Sequence, residues 1–259
     1  MPMYVWLIVW MGALGLPVAT GIALYRGALA AGMARRSAAT VGATVIAVLF
    51  AWVAASTLLA SAGVYESGLV FDGSLVALVL PAALLAMLAG TQQPAVARAL
   101  AAPGTAARLA YPQTLRIEGG VFLLVFALGQ LPAAFALPAG LGDMAIGLAA
   151  LIVGRRLAAG GSRRLGVWFN VLGIADLVNA VTLGVIAGAG AAHLLHVTPD
   201  TVPITELPLM LIPTTAVPLA LVLHIVSLRR LRSDRSASRN DVDHEVRGVD
   251  TPSIGTLSS

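Results

Sequence analysis

Long apolar runs alternate with short polar stretches along the whole chain. A helix needs about 20 apolar residues, at about 1.5 Å each, to cross a bilayer. Seven runs reach that length, at roughly 3–25, 39–62, 69–90, 115–134, 138–156, 165–188 and 206–228. The pattern predicts an all-α, polytopic integral membrane protein, a bundle of seven transmembrane helices within residues 1–232. Residues 233–259 are polar and mixed in charge, and are expected to be a disordered cytoplasmic tail.

The connections refine this picture. The second, Tyr65-Glu66-Ser67-Gly68, is short and acidic. The third, 91–114, is longer and broken by Pro94, Pro103, Gly104 and Pro112; its Ala-rich pieces with Arg98 and Arg108 suit a helix lying on the inner membrane surface. Pro132 stands near the end of the fourth run, and Pro138 suits the first helical position of the fifth. Residues 1–24 lack a basic leading region and read as a first membrane helix rather than a cleaved signal, with Tyr4, Trp6 and Trp10 in an outer interfacial belt.

Charge sets the orientation. All 16 basic residues are Arg. Arg26, Arg35 and Arg36 follow the first run; Arg98, Arg108 and Arg116 follow the third; Arg155, Arg156, Arg163 and Arg164 follow the fifth; the other six lie at and beyond the end of the seventh. The alternate loops hold none. Positive loops mark the cytoplasmic face, so the N-terminus is expected outside and the C-terminus inside. In general style the chain resembles small bacterial membrane proteins, and the expected location is a bacterial inner membrane.

Composition then narrows the chemistry. Charged residues make up only 11% of the chain, so the net charge of +4 is topogenic and no nucleic-acid partner is expected. Without lysine there is no Schiff base, hence no retinal site of the usual kind. Without cysteine there is no thiol catalysis and no Cys-ligated metal. No cofactor and no metal site are expected. The expected partners are the lipid bilayer and a small solute, proton or cation.

The polar residues inside the runs are the candidate site. Counting about 1.5 Å per residue from the flanking arginines places Gln130, Asp143, Asp176, Asn179 and Thr214 in one layer, roughly 18–22 Å from the inner ends. Glu118, Asn170 and His224 fall in a second layer near the inner face and suit a proton relay. No Arg or Lys is expected within any span centre, so the two Asp residues must be protonated, hydrogen-bonded, cation-bound or facing water. Gly140, Asp143, Gly147, Ala150 and Gly154 lie on one helical stripe, as do Gly173, Asp176, Ala180, Leu183 and Ala187. Small residues on such stripes let membrane helices approach closely. Pro208, Pro213 and Pro218 near Thr214 and Thr215 free backbone carbonyls that could coordinate a solute or cation.

Two short motifs resemble known families. Gly140-Leu141-Gly142-Asp143 resembles the Gly-x-Gly-Asp motif of presenilin-like and prepilin-type intramembrane aspartyl peptidases, which implies a catalytic Asp pair with Asp176 as the partner. In those families the partner precedes the motif; here it follows. Pro112-Gln113 resembles the Pro-Gln pair of SWEET and PQ-loop carriers, although no matching pair stands in the first run. The leading expectation is a small-solute or ion carrier, with proton coupling as an option, using Asp143, Asp176, Asn179, Gln130 and Thr214. The alternative is a sensor, assembly factor or accessory subunit whose polar layer is structural; an aspartyl intramembrane enzyme ranks third.

Overall fold

The computed structural model describes residues 1–65, 76–188 and 194–249. The acidic connection at Glu66-Ser67-Gly68 and the start of the third run lie outside the described residues. Every regular element among the described residues is helical. In chain order these are α1 (Met3–Ala30), α2 (Arg35–Ser61), α3 (Val76–Gly90), α4 (Pro94–Ala101) and α5 (Thr105–Ala110). A 3₁₀ segment (Tyr111–Gly120) leads into α6 (Val121–Ala127), then α7 (Ala133–Ala158) and α8 (Arg163–Ile186). A short 3₁₀ turn (Val202–Thr205) follows, and a π turn (Ile212–Ala216) runs directly into α9 (Val217–Val249).

Among the described residues, five helical stretches are long and apolar enough to cross a membrane: α1, α2, α7, α8 and Ile212–Ser233. The chain turns by 80° between α3 and α4, and the pair counts as a sixth if it is one broken span. α4 has Ala99 and Leu100 buried and Arg98 exposed.

The fourth run is displaced from its expected position. Instead of a helix over 115–134, a continuous helical path runs from Thr105 through the 3₁₀ segment to Ala127. It stops at Gly129, whose φ of 72° only glycine adopts without strain. α7 then starts at Ala133 behind Pro132, so Pro138 lies inside the helix rather than at its first position. Hydropathy misplaced this run because its first half, Tyr111–Gly120, carries Gln113, Arg116 and Glu118. At the other end, α9 continues as helix to Val249, across most of the stretch expected to be a disordered tail.

Packing follows the small residues. α1 crosses α2 where Gly21 and Gly42 face each other; a Cβ on either would sit 2.9 Å from the other's carbonyl oxygen. The α7 stripe packs along the 3₁₀ segment rather than along α8: Gly140 lies against Leu123 and Gly119, Gly147 against Arg116 and Ile117, and Gly154 against Tyr111. From Val217 to His224 every residue of α9 is buried. A helix buried on all sides sits at the centre of a bundle, and α9 carries His224 there.

Candidate functional site

The centre of the bundle is organised by a side chain that sequence reasoning used only as a surface marker. Arg116 is 5% exposed and projects from the 3₁₀ segment between α7, α8 and α9. Its Nε donates to Asp143 Oδ1 at 2.7 Å, and its Nη2 lies 2.7 Å from the same oxygen. Nη2 also donates to Asp176 Oδ2 in a short contact. Nη1 donates to the Gly173 carbonyl at 3.3 Å and to His224 Nε2 at 3.2 Å. With Nε2 accepting, the imidazole proton belongs on Nδ1, which donates to Asn170 Oδ1 at 2.8 Å. Asn170 Nδ2 in turn donates to the Gly166 carbonyl and to Ser227 Oγ at 2.7 and 3.0 Å. Every nitrogen of the guanidinium is engaged.

Glycine makes the room. A Cβ on Gly142 would occupy the Asp176 carboxyl, one on Gly119 would overlap Asp143, and one on Gly173 would overlap the His224 ring. The 3₁₀ segment, α7 and α8 thus each present a bare patch of backbone where a neighbour's polar side chain must pass.

The expected absence of a cation at mid-span is therefore corrected. Asp143, near the middle of α7, and Asp176, near the middle of α8, share one arginine. The two expected layers also merge, because Asn170 and His224 join the same network through Arg116. Counting rise from the flanking arginines missed this because it took Arg116 to be at a helix end; its helical path begins back at Thr105.

Three residues of the expected deeper layer do not join. Gln130 is exposed beyond the end of α6, and Asn179 is exposed on α8. Thr214 is buried in the π turn, where its hydroxyl donates to the Met210 carbonyl at 2.8 Å. Pro218 has no N–H for the Thr214 carbonyl, and Trp52 Nε1 donates to it at 2.8 Å instead. Thr215 Oγ1 likewise donates to Leu211. The proline-rich turn is thus satisfied by its own hydroxyls and one indole, with no carbonyl of Thr214 left for a solute.

Glu118 stands apart. Two residues beyond Arg116 in a helix of about three residues per turn, it points away from the cluster. It packs against the bare backbone of Gly12 in α1, and its Oε2 is buried without a hydrogen-bond partner. Gln113 spans from the 3₁₀ segment to α9, donating to the Ala220 carbonyl at 3.0 Å, with its Oε1 also buried and unpartnered. The Pro-Gln pair is therefore part of the packing against the central helix. Asp143 and Asp176 each direct one carboxyl oxygen at the same guanidinium. Among the described residues no group of three or more metal-ligating side chains gathers.

Residues 74–232 match a family model described as a domain of unknown function (DUF8737). The chain belongs to this family. The DUF8737 match runs from just before α3 into α9 and contains the whole Arg116 cluster; α1 and α2, including Gly12 beneath Glu118, precede it. No curated protein and no solved structure matches the chain significantly.

Proposed function

We propose that this DUF8737 protein is a multi-pass membrane carrier of a small solute or ion, coupled to protons or a cation, with Arg116, Asp143 and Asp176 as its switching centre. One observation carries this reading. A single buried guanidinium serves two carboxylates on neighbouring helices, and a third carboxylate, Glu118 on the segment that carries Arg116, has its Oε2 buried without a hydrogen-bond partner. Three carboxylates to one guanidinium in this part of the bundle leave negative charge that an apolar interior does not tolerate. A proton or a bound cation supplies the balance. Loading Asp176 weakens its link to Arg116 and frees α8 from the 3₁₀ segment, while Asp143 keeps hold. His224, Asn170 and Ser227 continue the polar path along α8 and α9.

The topology that goes with this reading is seven crossings with the N-terminus outside. The helical path Thr105–Ala127 supplies the fourth crossing, with Arg116 at its middle. Support comes from the arginine-bearing ends, which meet in space: Gly27 lies against Ala99 and Arg108, and Arg163 Nε donates to the Leu231 carbonyl. A second reading, a structural tie, is favoured by the closure of the network around Arg116.

Proteoliposomes under an imposed potassium diffusion potential, loaded with a pH-sensitive dye, separate the two readings. A carrier gives a proton flux above that of empty vesicles, lost in both Asp176→Asn and Asp143→Asn. If the wild type matches empty vesicles from pH 5 to 8, with and without a panel of small cations, the carrier reading fails and the tie remains.

A further inference from the structure

On the opposite face of α9 from the cluster, α2 and α3 stand apart. α2 packs along α1 and α3 along α9, and the space between them is a cavity of about 770 Å³. That volume falls in the range of small-ligand sites. Val48, Trp52, Ala83, Met87 and Val222 line its length, and the lining is almost wholly apolar. Four polar lining residues, Thr40 and Thr44 near the start of α2 and Thr91 and Gln93 between α3 and α4, belong to the end where α2 begins and α3 stops. That end also carries the charge. Arg35 and Arg36 open α2, one turn from Thr40, and Arg98 stands on α4, whose Ala95 and Val96 line the same mouth. All three guanidinium groups belong to exposed residues. No acidic residue lies between Met1 and Tyr65 or between Val76 and Glu118 to neutralise them.

We infer that this groove is a binding site for an anionic phospholipid, with an acyl chain between α2 and α3 and the headgroup among Arg35, Arg36 and Arg98. An apolar cleft of this size is filled by apolar matter rather than water. A second transmembrane helix fits it poorly, because α4 turns by 80° from α3 and packs on α1, crossing the path a straight helix would take. A flexible chain ends where α4 begins, at the one place where positive charge awaits a headgroup. Basic residues at a membrane surface favour anionic lipid.

Trp52 lines the groove and reports on it. The other three tryptophans (Trp6, Trp10 and Trp168) are replaced by Phe, and the full-length protein is placed in mixed bilayers. Brominated phosphatidylglycerol then quenches Trp52 in preference to brominated phosphatidylcholine, by about fivefold, and the preference falls with added salt. It drops toward parity in the Arg35→Gln, Arg36→Gln, Arg98→Gln variant. Ala86→Phe, which fills the groove without touching charge, lowers quenching by both lipids. Equal quenching by the two lipids in the parent protein overturns the site in favour of bulk lipid. No quenching by either overturns it in favour of a protein occupant, a second copy or the chain's own tail. Neither result depends on proton flux, so the carrier reading stands or falls separately.

Discussion

The two sides of α9 solve opposite problems. Toward α7 and α8 the packing is close, glycines are opened for neighbours, and buried charge is tied by hydrogen bonds around Arg116. Toward α2 and α3 the walls are apolar, few polar atoms need partners, and the helices stand apart. The difference teaches that tight packing in an apolar solvent needs a specific cause. Lipid tails are as apolar as Leu, so apolar surface alone does not draw membrane helices together; small residues and polar ties do. α7 and α8 have both, and the facing walls of α2 and α3 lack the ties.

The sharpest break of that contrast is Arg116→Met. It strands two carboxylates in the interior, and stability in mixed-micelle SDS titration should fall by about 3–5 kcal/mol. Replacing all three partners together, Arg116→Met with Asp143→Leu and Asp176→Leu, should recover most of the loss; if it does not, the network does more than satisfy itself. Next comes Gly142→Val, which drives a side chain into the Asp176 carboxyl and should cost about 1–3 kcal/mol in the same titration. Asp176→Asn keeps a hydrogen-bonding group beside Arg116 and leaves Asp143 paired, so about 1–2 kcal/mol is expected. On the other side, Ala86→Phe enters open space and should move the midpoint by less than about 0.5 kcal/mol. A large loss there would mean that α2 and α3 close on each other in the bilayer. Smallest of all, Gln130→Ala and Asn179→Ala should be neutral within about 0.5 kcal/mol, since both residues are exposed.

Asp143 and Asp176 were legible as candidate site residues because ionisable groups inside apolar runs are costly and need a reason. Arg116 was misread for an equally physical cause. The run that follows it is apolar, so a hydropathy window starts there and leaves the arginine at the edge. Two signs in the chain pointed the other way. Ala-rich residues 105–110 extend the helix backward, and Gly129 with Pro132 stops it early. Two buried carboxylates also demanded a cation, and Arg116 was the basic residue standing next to an apolar run with Glu118 beside it. Asn179 lies on an exposed face of α8 and Gln130 beyond the end of α6, neither of which a count of rise per residue resolves.

By itself the sequence determined the helical class, the apolar lengths and the alternation of arginine, because these follow from the cost of leaving backbone polar groups and charge in hydrocarbon. The stripes of small residues were likewise readable from spacing. Only the tertiary structure decided which neighbour each stripe accepts: the 3₁₀ segment for α7, and His224 of α9 for Gly173. It alone also decided that one arginine joins both aspartates. Such pairings depend on the rotation and offset of separate helices, and those are set by many weak contacts between residues distant in the chain rather than by any local pattern.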